Sequence, residues 1–151
     1  MLRTYKYILP VLAFVFLLSD SGCKKNTTCN GIPNVSVNFS VSLNSPSSNQ
    51  LLPPGNSEPF SGGYDNDGVL IYHYTQNQFL AYDCTCPYDG ASNAKAIITA
   101  SPASSLYATC PVCGSQFLLS SGSPSKGPSS CPLKAYSTTY DPSSNVVYVT
   151  N

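Results

Sequence analysis

The segment Cys110-Pro-Val-Cys113-Gly-Ser-Gln-Phe117 is the most informative part of this chain. A second close pair of cysteines, Cys84-Thr-Cys86-Pro87, precedes it, and residues 87–109 separate the pairs. Cysteines at such spacings occur in metal sites, redox motifs and disulfide frameworks, so the two pairs carry the chemistry of the chain. The residues after Cys113 are typical of a strand, which argues against a thioredoxin-like pair because that chemistry uses a helix N-terminus.

Short strands surround both pairs. Residues Val35 to Leu43 alternate apolar and polar side chains, which predicts a half-buried strand, whereas residues 44–63 are rich in Pro, Ser, Asn and Gly and predict a long loop. Val69–Tyr74 and Phe79–Tyr82 flank a short polar connection and predict a β-hairpin. Further strands are expected at Ala94–Thr99, Leu106–Thr109, Gln116–Leu119, Lys134–Thr139 and Val146–Thr150. The pattern predicts an all-β fold, a small sandwich or barrel.

The N-terminus predicts export and attachment to a membrane. Ile8–Leu18 is an apolar run that follows Arg3 and Lys6. At about 1.5 Å per residue it covers about 17 Å, too little for a hydrocarbon core of about 30 Å, so it is typical of a signal peptide. Ser21 and Gly22 stand before Cys23, as in bacterial lipoproteins, whose cysteine is acylated. We expect residues 1–22 to be a signal peptide, residues 23–34 a lipid anchor (Cys23) and tether, and residues 35–151 one domain facing the periplasm in the cell envelope.

The charge of the chain excludes one class of partner. The 7 basic and 7 acidic side chains give a formal net charge of zero, and no arginine follows Arg3. A basic patch with which to bind a phosphate backbone is therefore missing, so nucleic acid is not an expected partner. The expected partners are the membrane, through the lipid anchor, and an unidentified redox or other protein.

The cysteine pairs and their surroundings resemble the Rieske [2Fe–2S] family. That family binds its cluster through Cys-X-His and Cys-X-X-His loops, where this chain has Cys84-Thr-Cys86 and Cys110-Pro-Val-Cys113-Gly-Ser-Gln-Phe117. Gly127-Pro-Ser-Ser-Cys-Pro132-Leu-Lys-Ala-Tyr136 is similar to the proline-rich loop and following strand of the family. The resemblance implies a Rieske-like small β-sandwich or barrel with both cysteine loops at one tip.

The resemblance also implies a metal site, with cysteine at both histidine positions. The implied ligands are Cys84, Cys86, Cys110 and Cys113. Four cysteines hold [2Fe–2S] in plant-type ferredoxins, which have a reduction potential of about −400 mV. The implied function is a membrane-anchored iron–sulfur electron-transfer protein without catalytic activity of its own. The sequence has no Ser–His–Asp set, paired carboxylates or phosphate loop, and His73 lies mid-strand, where packing is its expected role.

Two other occupants of the tip remain open. A chain exported unfolded arrives with bare thiols in an oxidising compartment, so the module could be metal-free, with a disulfide between the two cysteine loops. Alternatively, Cys-Pro-Val-Cys-Gly is the turn found in zinc ribbons, so the tip could hold zinc. In either case the chain would be a binding or structural module on a Rieske scaffold. If the four loop thiols hold metal, Cys29 and Cys131 remain, and a Cys29–Cys131 disulfide is expected.

Overall fold

The computed structural model describes residues 31–90, 93, 94 and 96–151, and their regular secondary structure consists almost entirely of strands. Two short 3-10 helical turns, Pro46–Leu51 and Tyr64–Asn66, interrupt them. The strands are Asn38–Ser42 (β1), Ser57–Phe60 (β2), Val69–Thr75 (β3), Gln78–Asp83 (β4), Tyr107–Thr109 (β5), Gln116–Leu118 (β6), Pro124–Lys126 (β7), Ala135–Asp141 (β8) and Val146–Thr150 (β9). The predicted all-β class is confirmed.

The strands form two antiparallel sheets. The larger sheet has six strands in the order β1-β9-β8-β4-β3-β2, and the smaller has three in the order β5-β6-β7. The predicted hairpin is confirmed as β3–β4, and the predicted last strand as β9. The two sheets are connected in sequence by residues 84–106, which include the first cysteine loop.

Successive side chains of β3 enter two different cores, one on each face of the larger sheet. Val69 and Ile71 point into a core with Val147 and Val149, whereas Leu70 belongs to a second core. This second core lies between the two sheets and also contains Tyr82, Ala108, Phe117, Leu119, Leu133 and the cysteines Cys84, Cys86 and Cys110. A strand buried on both faces has a continuous apolar run instead of an alternating one. The cysteine loops thus emerge from the edge of a packed core.

Four elements differ from the sequence expectations. The strand expected over Val35–Leu43 is shorter, because its partner strand ends where Asn38 pairs with Thr150. The loop expected over residues 44–63 contains the first 3-10 turn and β2, an edge strand that accommodates Pro59 because one side of an edge strand makes no ladder hydrogen bonds. The strand β7 was not expected at all. The described part of Ala94–Thr99 forms only single bridges, Thr85 with Ile97 and Thr99 with Thr109.

The last described residues of the predicted tether pack against the domain. Ile32 is buried, and the Lys134 ammonium donates to the Pro33 carbonyl at 2.5 Å. The predicted signal peptide and Cys23 lie outside the described residues. Within the part of the chain that the structure describes, no helix is both long and apolar enough to cross a membrane.

Candidate metal centre

A buried carboxylate fixes the start of the first cysteine loop. Asp83 ends β4 and is completely buried. Its Oδ1 accepts from the Thr85 N–H at 2.8 Å, and its Oδ2 accepts from the Tyr64 N–H at 2.8 Å and the Tyr136 hydroxyl at 2.5 Å. Three donors on one carboxylate hold the chain on both sides of Cys84. The loop therefore leaves the sheet in a fixed direction.

Each cysteine loop then forms a tight turn. In the first, the Gly90 N–H donates to the Cys86 carbonyl at 2.7 Å. In the second, the Gly114 N–H donates to the Cys110 carbonyl at 3.0 Å, and Gly114 has a φ of 73°, a conformation that favours glycine. The Cys110 N–H also donates to the Ser115 carbonyl at 2.9 Å, which closes the β5–β6 connection.

Three sulfurs and one carboxylate converge where these turns meet. The Sγ atoms of Cys86 and Cys113 are 3.7 Å apart. One ligand atom from each of Cys86, Asp89, Cys110 and Cys113 lies within 4.8 Å of every other. Cys86 and Cys110 are buried, and Cys113 and Asp89 are partly exposed. The predicted meeting of the two cysteine loops is thus present, and Asp89 is a site residue that the sequence reasoning missed.

The fourth predicted ligand, Cys84, lies apart from this group. Its side chain is buried in the core between the sheets, in one cluster with Leu70. The side chain lines a different cavity of about 370 Å³, together with Pro59, Asp67, Leu70, Ile97, Ile98, Thr99 and Ala100. The structure therefore brings together three of the four predicted cysteines.

Burial determines the electrostatics of the thiols. It raises the pKa of Cys84 to about 12, with smaller contributions from the Asp83 and Asp67 carboxylates. Burial also raises the pKa of Cys86 and of Cys113 above the ordinary thiol value. Without a cation these thiols keep their protons at neutral pH. A bound metal reverses that preference, so metal binding would release protons.

The proline-rich loop is linked to the site through Ser115. The Ser115 Oγ is completely buried and accepts from the Ser129 N–H at 2.8 Å. It also lies 3.1 Å from the Cys113 sulfur. Because the Ser129 N–H occupies one lone pair, the Ser115 hydroxyl can direct its own proton to a thiolate at Cys113. The predicted covering loop therefore contacts the site by a hydrogen bond.

Cys131 differs from the four loop cysteines in its oxidation state. Cys131 is disulfide-bonded, whereas Cys84, Cys86, Cys110 and Cys113 are free thiols. Cys29 lies outside the described residues, so the Cys29–Cys131 pairing stays a prediction. His73 is buried mid-strand, stacks on Phe79 at 4.2 Å between ring centroids and contacts the Leu51 carbonyl through Nδ1 at 2.9 Å. These contacts fit its predicted packing role.

Known proteins match the fold but not the sequence. No protein-family model matches the sequence, and no curated protein does. The structure is similar to the quaternary ammonium Rieske monooxygenase CntA, with a TM-score of 0.51 and 14% identity over 78% of this chain and 31% of that one.

Two ferredoxins are also similar. The ferredoxin of carbazole 1,9a-dioxygenase from Nocardioides aromaticivorans IC177 has a TM-score of 0.48 and 22% identity over 78% of this chain and 98% of its own. The Sphingomonas yanoikuyae B1 ferredoxin has a TM-score of 0.44 and 17% identity, covering 68% of this chain and 93% of the ferredoxin. The nine strands, the two cysteine loops at one tip and the match to CntA together identify the described chain as a small domain with a Rieske-like fold.

Proposed function

We propose that this protein is an exported, lipid-anchored electron carrier of the cell envelope, whose thiol-rich tip binds iron. The observation that carries the proposal is the convergence of Cys86, Cys110 and Cys113 at the tip of a Rieske-like domain. Thiolates are soft ligands that favour iron and zinc over magnesium or calcium. Iron bound by thiolates would supply one-electron chemistry.

The accessibility of the tip supports transfer to a partner. Val112, between the two cysteines of the second loop, is 46% exposed, and Cys113 beside it is partly exposed. A redox partner could therefore approach the donor set directly. Cys86 and Cys110 are buried at the edge of the core, which would exclude water from their bonds to a metal.

The two-iron cluster that the resemblance implies does not fit the donor set as it stands. Such a cluster requires two pairs of ligands, one pair on each iron. Here three thiols and a carboxylate form a single group, and Cys84 makes contacts elsewhere. A four-cysteine cluster would require the Cys84 side chain to leave Leu70 and turn towards the other thiols.

The test uses the full-length protein purified without oxygen from the membranes of its host. We expect bound iron, with a visible absorption band that dithionite bleaches and air restores, and we expect a Cys110→Ser variant to lack both. A colourless protein without iron would overturn the proposal. A proteolytic peptide pair joining the two cysteine loops by a disulfide would overturn it as well.

A structural zinc site is the second candidate, and the presence of four protein donors favours it. Structural zinc sites use four protein ligands and leave no open position, and Cys86, Asp89, Cys110 and Cys113 supply four. Zinc would join the two cysteine loops and stabilise the tip without redox chemistry. Zinc in place of iron in the native material would select this function.

A further inference from the structure

The two turns at the tip share a sequence pattern and a closing hydrogen bond. The first reads Cys86-Pro-Tyr-Asp89-Gly90, and the second reads Cys110-Pro-Val-Cys113-Gly114. In each, the glycine N–H donates to the carbonyl of the cysteine four residues earlier, at 2.7 and 3.0 Å. Asp89 thus holds in the first turn the position that Cys113 holds in the second.

Each glycine is required for a separate reason. At Gly114 the positive φ favours glycine. At Gly90 a Cβ would stand 2.3 Å from the Thr85 Cγ2, so a larger residue would have to displace the buried Thr85 side chain. The two turns differ in backbone conformation at the glycine, which has a positive φ only in the second, but they share the hydrogen bond that closes them.

From this arrangement we propose that the tip holds one tetrahedral metal ion, bound by Cys86, Asp89, Cys110 and Cys113, and that Cys84 is not a ligand. The inference rests on the proposed metal binding but not on electron transfer. Each turn supplies two ligands in a Cys-Pro-X-ligand-Gly arrangement. A carboxylate oxygen beside three thiolates is a donor set that zinc accepts, and iron in a thiolate-rich site has the same tetrahedral preference.

The distances favour one ion over two. For a metal–sulfur bond of about 2.3 Å, two ligands of a tetrahedral ion lie about 3.8 Å apart. The Cys86 and Cys113 sulfurs are 3.7 Å apart, and all four donors lie within 4.8 Å of one another. In a two-iron cluster the iron–iron separation adds to the distance between ligands of different irons. A compact group of four donors therefore fits a single ion.

The surroundings of Cys84 explain why this position carries a cysteine that is not a ligand. Its side chain is 1% exposed and belongs to the core between the sheets, where cysteine packs as a small apolar residue. Its sulfur lies 3.4 Å from the position that a Cβ on Gly68 would take. Cys84 also lines the cavity beside Asp67 and is not a member of the group of four donors.

A single ion also agrees with the predicted export route. A chain that crosses a membrane unfolded reaches the envelope without a preassembled cluster. One ion can bind four side chains after folding and requires no inorganic sulfide. Binding then displaces the thiol protons of Cys86, Cys110 and Cys113.

The test compares metal content, labile sulfide and ligand variants in the full-length protein. We expect one metal per chain and no acid-labile sulfide. Cys84→Ser should keep the metal, whereas Cys110→Ser should lose it, and Asp89→Asn should weaken binding at least 10-fold. Asp65→Asn, at an exposed acid in the second 3-10 turn, is the matched control and should bind normally. Two irons with two sulfides, or loss of metal in Cys84→Ser but not in Asp89→Asn, would overturn the assignment.

A second measurement applies if a variant does not fold. Co²⁺ added to the chelator-treated wild-type protein should give the spectrum of a tetrahedral ion, and X-ray absorption should show three sulfurs and one oxygen or nitrogen ligand. Four sulfurs would refute a role for Asp89. One zinc ion with this ligand set and no reversible redox signal in native material would uphold the inference while refuting the electron-carrier function.

Discussion

Replacing Asp83 by asparagine tests whether the buried carboxylate positions the first cysteine loop. Asp83 accepts from the Thr85 N–H, the Tyr64 N–H and the Tyr136 hydroxyl. An amide keeps the oxygen for Thr85 but presents N–H groups to Tyr64. The Tyr136 hydroxyl can rotate and accept from the amide, whereas the Tyr64 N–H cannot. The partly buried Tyr64 N–H is therefore left unpaired.

The expected cost follows from these contacts. A hydrogen bond to a charged group contributes about 1.5–3 kcal/mol, and an unpaired buried donor costs about 1–3 kcal/mol. Removing the buried charge offsets part of this loss. We expect Asp83→Asn to lower the free energy of unfolding by about 2–4 kcal/mol, and Tyr136→Phe, which removes one donor only, by about 1.5–3 kcal/mol.

Urea unfolding of the chelator-treated domain measures both changes, with Asp65→Asn as the exposed control. The double variant should lose less than the sum of the single losses, because both variants remove the same Asp83–Tyr136 bond. Since Asp83 orients the loop that carries Cys86, metal affinity should also fall about 10–100-fold, as for other outer-shell partners. A change in unfolding free energy below about 1 kcal/mol for Asp83→Asn would refute the positioning role.

Three further predictions concern the core, the turn and the anchor. Burial raises the pKa of Tyr82 to about 12, so between pH 10 and about 12 the unfolded state has lost a proton that the folded state keeps. The free energy of unfolding should therefore fall as the pH rises through this range, and it should fall less steeply in Tyr82→Phe. Equal slopes in the two proteins would contradict this. Gly90→Ala should cost about 1–3 kcal/mol in thermal or urea unfolding and weaken metal binding because its Cβ meets Thr85, whereas Gly31→Ala, with open space around it, should be neutral. Cys23→Ala should release the protein into the soluble fraction or leave it unprocessed, and unchanged membrane fractionation with a processed N-terminus would exclude lipidation.

The fold could be predicted where a pattern has one physical cause. The alternation of Val147 and Val149 with exposed neighbours gave β9, and the apolar run of β3 gave the hairpin, because side chains on successive strand residues point to opposite faces. The pattern failed for β2 and β7, which have four and three residues and contain Pro59 and Pro124. In such short edge strands the backbone pairing is decided by neighbouring strands and leaves no period in the sequence.

The site was half predictable for a related reason. The second turn was predicted from the resemblance of Cys110-Pro-Val-Cys113-Gly to Rieske and zinc-ribbon loops, and the structure places both of its cysteines in the site. In the first loop, spacing favours Cys84 with Cys86, since they are two residues apart, but the structure separates them. Asp83 fixes the backbone between them by accepting from the Thr85 N–H, and the Cys84 side chain is buried in the core. The turn closed by the Gly90 N–H brings Asp89 to the donor group instead.

The repeat Cys-Pro-X-ligand-Gly was present in the sequence all along, with aspartate in the fourth position of its first copy. The equivalence of the two copies rests on one shared feature, the hydrogen bond from each glycine N–H to the carbonyl of the cysteine four residues earlier. A site defined by pairs of identical residues conceals this, because the equivalence lies in backbone hydrogen bonds and not in residue type. If the two turns act as equivalent halves of one ion site, the Asp89→Cys variant should bind metal at least as tightly as the wild-type chain. Tyr88→Cys introduced into the Asp89→Asn variant should not restore the binding that Asp89→Asn loses.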